Sequence, residues 1–411
     1  MDIGEKLSIL ADAAKYDASC ASSGSGPRGG GSFGHNVPAG VCHSWTADGR
    51  CVSLLKVLYS NVCRYDCAYC VNRASSDIRR AAFTPDELAD LTAAFYRRNY
   101  IEGLFLSSGV FSDPDIVMEK LIATAKKLRR EAGYGGYIHM KIIPGAGGRY
   151  IREAGLWADR LSANIELPTA KSLRALAPQK SGDTILGAMR DFSETSCQFA
   201  EDRRRLKSTP VFAPAGQSTQ LIVGASEEDD RQIINLSGAL YRKFSLRRVY
   251  YSAFIPPAPE GERDPRLPGI TRPPLLREHR LYQADWLLRF YNFTPDEILG
   301  GQDAYLDAQL DPKTAWALRH IARFPVDIAR AGYEELLRIP GIGSRSALRI
   351  VEARRSRSLT FDALRRLGVV VKRARYFITV GGAFIDKPDS PGRIRRMLMP
   401  ADALQLPLFE A

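Results

Sequence analysis

Three cysteines crowd into eight residues, Cys63-Arg64-Tyr65-Asp66-Cys67-Ala68-Tyr69-Cys70, directly after the apolar run VSLLKVLYS at 52–60. That run predicts a strand, so the triplet falls on the loop at a strand's C-terminal end, where α/β barrels place their chemistry. Thiolates suit iron–sulfur clusters or zinc, and three ligands to a four-iron cluster leave one iron free for an exogenous ligand. The other reading is a structural zinc that borrows a fourth ligand from Cys42, His43 or Cys51. Either way the chain must hold a short loop rigidly at the mouth of a sheet.

The pattern beyond the triplet is strand, loop, helix, repeated. Strand runs are expected at VSLLKVLYS, GLFLSS (103–108), YIHMKII (137–143), RLSANIEL (160–167), TQLIVGA (219–225) and RRVYYSAFI (247–255). Helices are expected over Pro85–Arg98, Asp115–Glu131, Arg149–Ala154 and Glu227–Lys243. Six strands alternating with helices predict parallel βα units, and an open or partial (β/α)6 barrel is the economical α/β architecture. An amphipathic helix is expected around Ile3–Tyr16, followed by the Gly/Ser-rich stretch 22–34. The proline-rich stretch 256–274 reads as a linker or strap, and helical patterns alone follow it. The expected domains are an N-terminal helix and extension (1–50), a barrel (51–260), a linker with helical connector (261–330), an all-α basic domain (331–395) and a tail (396–411).

Composition narrows the function classes. With 411 residues, 45% of them hydrophobic and 25% charged, the chain is long enough for a large core and is no disulfide scaffold. Seven cysteines, three of them clustered, fit metal chemistry in a reducing compartment, and no apolar run of about 18 residues suggests a membrane span. A cytoplasmic location without membrane attachment is the expectation. The net charge is +12, and residues 331–411 alone carry 15 Lys and Arg against 8 Asp and Glu, or +7. The basic end is therefore the part expected to face a polyanion.

With the aromatic Tyr69 just before its third cysteine, the triplet resembles the signature of the radical S-adenosylmethionine (SAM) superfamily. The resemblance implies a [4Fe-4S] cluster held by Cys63, Cys67 and Cys70. It also implies SAM on the fourth iron and an external one-electron reductant, whose electron releases a 5′-deoxyadenosyl radical that abstracts a hydrogen atom. Ser107-Ser108-Gly109 stands where the family has a Gly-Gly-Glu segment for the methionine amino group, but the glutamate is absent. Gln220 to Glu227 looks like the family's Gly-x-Ile-x-Gly-x-x-Glu segment, with Gln220 in place of the first glycine. There Ile222 would press on adenine, Gly224 would admit close backbone approach, and Glu227 would begin the next helix. Asn164 and Glu166, two apart on the fourth strand, project to one face and could bond the ribose hydroxyls. Their other reading is an interior polar pair satisfied by barrel neighbours.

Cys197, in the expected loop SETSCQFAEDRRRLK, is a candidate hydrogen-atom donor or a buried free thiol. Cys20, Cys42 and Cys51, with His43, could form a second metal site. Arg203, Arg204 and Arg205 are either a solvated helix face or a phosphate track.

Near the C-terminus, EELLRIPGIGSRSALRIVEARRSR resembles a helix-hairpin-helix motif. Gly341 and Gly343 permit a tight turn, Ser344 opens the second helix, and that helix's first N–H groups can hold a nucleic-acid phosphate. Arg345 and Arg349, four apart, add charge beside it. The other use of such a hairpin is protein docking. Leu367-Gly368-Val369 hints at a second, degenerate hairpin over Phe361–Val371. The tail's Gln405-Leu406-Pro407-Leu408-Phe409 looks like the peptide with which partners of the bacterial DNA sliding clamp engage it; an apolar tail folded on its own domain is the alternative.

Together with the segment Cys42–Cys51, these features resemble the DNA modification/repair radical SAM proteins, bacterial proteins whose genes accompany one for a uracil-DNA-glycosylase-like partner. The resemblance implies a radical SAM enzyme that modifies or repairs a nucleotide in DNA. An RNA-modifying enzyme and a non-catalytic, clamp-associated DNA adaptor with a structural metal are the competing readings.

Overall fold

All six apolar runs become strands of one sheet. The computed structural model describes residues 1–14, 41–45, 51–257, 264–270, 272–356, 358–384, 386 and 390–399. Its sheet runs β1 (Val41–Trp45), β2 (Cys51–Leu58), β3 (Gly103–Ser107), β4 (Tyr137–Lys141), β5 (Arg160–Ser162), β6 (Gln217–Val223) and β7 (Arg248–Ala253) in sequence order. β2 to β7 are all parallel and form a curled half-barrel, as the alternation of apolar strands and amphipathic helices requires. β1 lies inside the stretch expected as an irregular extension, yet it adds an antiparallel edge with Cys42 opposite Leu54.

Period-2 alternation sends one set of side chains to the concave side. Leu58, Ser107, Lys141, Gln220, Ile222 and Ser252 line one pocket at the strands' C-terminal ends, whereas Leu221 and Val249 are wholly buried. The outer helices start where capping chemistry dictates. Thr84 and Glu87 form a reciprocal capping box with Pro85 in the first turn, and Asp113 caps the helix opened by Pro114.

Two expected boundaries shift. The stretch around Cys197 is no loop but the outer half of a 24-residue helix, Gly182–Arg205. Its inner half is anchored by Ile185, Met189 and Phe192, and Phe199 stacks on Phe212 at 5.1 Å, so the helix continues through a segment with little apolar periodicity. The helix expected from Glu227 begins instead at Asp230. The fourth strand ends at Ser162, so Asn164 and Glu166 lie beyond it, and Glu166 rejoins β6 only through an isolated bridge to Leu221.

The chain divides into two units, Met1–Glu228 with Ala239–Glu278, and Asp229–Gly238 with His279–Ala411. The second unit is mainly helical but not all-α, because Val326–Asp327 pairs in parallel with Ile378–Thr379. Phe324 and Phe377 pack edge to face at 5.1 Å beside that pair. Two helical hairpins lie between the paired segments: Tyr333–Arg338 with Ser344–Ala353, then Phe361–Arg366 with Val371–Ala374.

Each hairpin turns on a left-handed glycine that packs against the other hairpin. At Gly341 (φ +84°) an added Cβ would come within 2.6 Å of the Val370 carbonyl, and the Val370 amide donates to the Gly341 carbonyl at 2.9 Å. At Gly368 (φ +88°) a Cβ would meet Ser346 Oγ at 3.2 Å. The first turn also rests on Lys313, whose buried ammonium donates to the Ile342 carbonyl at 2.5 Å and lies over the Tyr291 ring.

Burial pulls Lys313 down to about 7, against the raising influence of Asp311. A depressed lysine contributes stability at high pH that is lost as pH falls from the unfolded value toward the folded one. Between pH 7 and pH 10 the unfolded chain holds this proton and the folded chain does not, so stability should rise with pH. Denaturation midpoints at pH 7 and pH 9 should show wild type gaining on Lys313→Met by about 1–3 kcal/mol. An unchanged difference between the two pH values would contradict this placement of the lysine.

Candidate active site

The cysteine loop is held by one guanidinium. Arg80 Nη1 donates to the carbonyls of Asn61 (2.6 Å) and Asn72 (2.9 Å), and Nη2 donates to those of Arg73 and Ser76 (both 2.8 Å). These acceptors bracket Cys63, Cys67 and Cys70, and Arg80 thereby satisfies four carbonyls that no regular element could pair. Asn61 completes the brace: its Nδ2 donates to the Arg79 carbonyl and its Oδ1 accepts from the Ala81 amide, both at 2.8 Å. The Ala68 amide, at the middle of the loop, donates to the Leu176 carbonyl at 2.7 Å.

All three cysteines line the pocket, together with Tyr65, Tyr69, Asn72, Ser107, Ser108, Gly109, Glu166, Lys180, Gln220 and Ile222. The amides of Tyr65 and Val110 both donate to Cys63 Sγ from 3.4 Å. Burial raises the Cys67 thiol, an effect that Lys180 opposes, and burial pushes Cys70 up to about 12. Both thiols must therefore give up protons when they take metal.

Gly109 shows why the segment after β3 ends in glycine. Its amide donates to the Ser60 carbonyl at 2.7 Å, and a Cβ would come within 2.4 Å of the Val62 carbonyl. The segment is packed onto the backbone of the cysteine loop. It brings hydroxyls from Ser107 and Ser108 to the pocket but no carboxylate.

The acidic side chain in the lining is Glu166, in the left-handed region at φ +64°. Its amide donates to the Gln220 carbonyl and its own carbonyl accepts from the Ile222 amide, at 3.0 and 2.8 Å, so β6 holds this unfavourable conformation from both sides. Its carboxylate accepts from Lys180 Nζ at 2.8 Å, and Lys180 lies 3.4 Å from the Tyr69 hydroxyl and over its ring. Burial, the largest influence, opposes the charge on Lys180, but Glu166, Tyr69 and Cys67 together outweigh it and raise the ammonium well above its ordinary range. Burial and Glu166 hold Tyr69 neutral.

Other expected residues lie elsewhere. Asn164 is buried and donates to Gln220 Oε1 at 3.1 Å, which satisfies it within the barrel. Gly224 takes φ +87° against Pro274 and does not line the pocket. Glu227 is exposed; the buried carboxylate is its neighbour Glu228, which accepts from Thr169 Oγ1 at 2.6 Å. Cys197 is exposed on helix Gly182–Arg205, 3.8 Å from Glu201, and does not line the pocket, which corrects its reading as a hydrogen-atom donor or a buried thiol. Cys20 and the tail peptide Gln405–Phe409 lie outside the described residues, as do the side chains of Cys42, His43 and Cys51.

Arg80, Lys180 and Gln220's contact with Asn164 escape sequence reasoning, because single polar residues in loops and strands carry no spacing signal. Two further elements close around the cysteine loop. Asn72 Nδ2 donates to the carbonyl of Ala13, at the end of helix Ile3–Ala13. Asp264 joins Arg73 (2.7 Å) and Arg266 (2.6 Å), hydrogen bonds that hold its carboxyl well below the usual range. This pairing ties the middle of the proline-rich stretch, at Asp264, to the cysteine loop at Arg73.

Residues 57–198 match the model of the radical SAM superfamily. Among solved structures, the chain is similar to HydG, a maturase of the [FeFe]-hydrogenase, at 15% identity and a TM-score of 0.41, over 56% of this chain and 48% of that one. It is similar also to the FeFe-hydrogenase maturase HydG from Carboxydothermus hydrogenoformans, at 13% identity and 0.41, over 56% and 50%. The chain thus spans about half the length of these structures. No curated protein matches it.

Residues 57–198 thus carry a radical SAM domain, and the superfamily it belongs to uses a [4Fe-4S] cluster and SAM. The donor set fits: three soft thiols on one braced loop, with amides aimed at a sulfur, suit a cluster with one open iron. Among the described residues no three His, Cys, Asp or Glu side chains are placed to hold a single metal ion. A four-iron cube, with its ligands on separate corners, does not require them to converge on one ion.

Arg80→Met should leave the chain folded by circular dichroism, yet reduce retained iron by at least about half, because four carbonyls lose a charged donor and the loop loosens. Iron quantitation after anaerobic reconstitution tests this; full iron content in the variant would show that the brace does not set the cysteines.

Proposed function

We propose that this radical SAM enzyme modifies or repairs a nucleotide in DNA, with the second unit as its helix-hairpin-helix DNA-binding part. The observation that carries the reading is the pair of glycine-turned hairpins packed on each other through Gly341 and Gly368, with Arg345 and Arg349 exposed on the first. Two hairpins in this reciprocal arrangement, on the part of the chain that carries +7, suit a sequence-independent grip on phosphates. Tyr291 refines the grip: its hydroxyl lies against Gly343 and takes up the Ser344 amide. The anion site therefore depends on the amides after Ser344 and on the two arginines.

When bound, the cluster and SAM supply a one-electron cleavage that yields a carbon radical able to take a hydrogen atom from substrate. The protein's part is to bind and orient. Cys63, Cys67 and Cys70 hold the cluster. Lys180 and Glu166 present a cation and an anion to the pocket, as a zwitterionic aminoacyl group requires. Ile222 offers an apolar surface for the adenine, and Ser107 and Ser108 supply hydroxyls where the family's glutamate is missing. A duplex base must be unstacked to enter such a pocket. The sliding clamp, through Gln405, Leu406, Leu408 and Phe409, and a uracil-DNA-glycosylase-like protein are the partners that this reading adds.

The test is 5′-deoxyadenosine production by reconstituted protein with dithionite and SAM, alone and with DNA or RNA. DNA should raise the yield several-fold and matched RNA should not. Stimulation by RNA alone would move the substrate to RNA. Production indifferent to either would remove the nucleic-acid substrate.

A further inference from the structure

Helix Leu275–Phe290 carries two aromatic side chains into solvent one turn apart, Trp286 at 50% exposure and Phe290 at 47%. Their ring centroids lie 4.3 Å apart, and the Arg289 guanidinium covers one face of Phe290 at 4.6 Å. Arg289 is itself neutralised by buried Asp285 at 2.7 Å, so it backs the platform without leaving a free charge.

The platform is continuous with the first hairpin. Tyr291, the next residue, turns inward: burial raises its pKa, against hydrogen bonding from the Trp286 indole and the Ser344 amide. Trp286, Tyr291 and the start of helix Ser344–Ala353 are therefore one surface. Arg345 and Arg349 are exposed on that helix, and neither joins an ion pair among the described residues.

Two half-exposed rings, tied through Tyr291 to the start of a helix that carries two arginines, ask for a ligand with flat apolar faces and regularly spaced anions. Nucleic acid has both, but in a duplex the base faces are hidden by stacking, and only unpaired bases can lie on an aromatic side chain. We propose that Trp286 and Phe290 form a stacking platform for unpaired bases of DNA whose phosphates lie on Arg345 and Arg349, so that this unit selects single-stranded or locally opened DNA. The inference rests on the DNA reading above and adds the state of the DNA that is bound.

The test uses the full chain with a thymidine oligonucleotide, a duplex of equal length and the matching uridine oligonucleotide, at one fixed salt concentration. Anisotropy reports affinity, and tryptophan emission reports contact. Wild type should bind the thymidine strand about tenfold more tightly than duplex, with quenched emission, and Trp286→Ala with Phe290→Ala should erase that preference by weakening single-strand binding about tenfold or more. Duplex affinity should stay within about twofold, and Trp286→Phe should retain most of the preference. Arg345→Ala with Arg349→Ala should weaken both and flatten the salt dependence.

Equal loss for both DNAs, or no loss, would overturn the platform while leaving the DNA reading intact. Tighter binding of the uridine strand would overturn the assignment to DNA. A wild-type chain that binds none of the three would remove platform and DNA reading together.

Discussion

The Arg80 guanidinium is the constraint on which the active site depends. A loop of 16 residues from Asn61 to Ser76 has almost no regular structure, yet it must hold three thiols in fixed relation at the open end of the sheet. One planar cation reaches both limbs of this loop and accounts for carbonyls that water would otherwise have to satisfy. Around that brace the other contacts gather: the end of the N-terminal helix on Asn72, Asp264 on Arg73, and the Gly109 backbone against Val62.

Inside the pocket a second ionic arrangement does different work. The Lys180–Glu166 pair is buried beside Tyr69 and the cysteines, where an unpaired charge of either sign would be costly. The strained conformation of Glu166, held by β6 on both sides, brings its carboxylate onto Lys180 in the pocket that Ser107, Ser108 and Gly109 also line. The second unit uses glycine rather than charge. Its two turns need left-handed backbone because each lies against the neighbouring hairpin, and a buried lysine supports the first from beneath.

Much of this was legible in the sequence where periodicity or spacing carried the information. The six parallel strands follow from apolar runs that alternate with capped helices, and the thiol triplet from its spacing. What escaped has a common physical cause. β1 is five residues, VCHSW, without period-2 alternation of apolar and polar side chains, so no pattern announces it. Arg80 acts on backbone carbonyls 4 to 19 residues away, and Lys180 pairs with Glu166 at a separation of 14 that belongs to no regular pattern, so neither leaves a spacing signal. Cys197 was misplaced because the outer half of a long helix needs few buried residues once the inner half is anchored. Asn164 and Glu166 stand among apolar residues that read as strand, but the ladder stops at Ser162 and Glu166, in the left-handed region, meets Lys180.

Cys63, Cys67 and Cys70 are proposed to hold a cluster with one iron left for SAM. Mössbauer and electron paramagnetic resonance spectroscopy of the anaerobically reconstituted, reduced protein, before and after addition of SAM, test it most directly. The expected result is about four irons per chain and a spectrum that changes on addition of SAM because a single iron gains new ligands. A full cluster whose spectrum SAM leaves unchanged, or a protein that retains one zinc in place of iron, would contradict it.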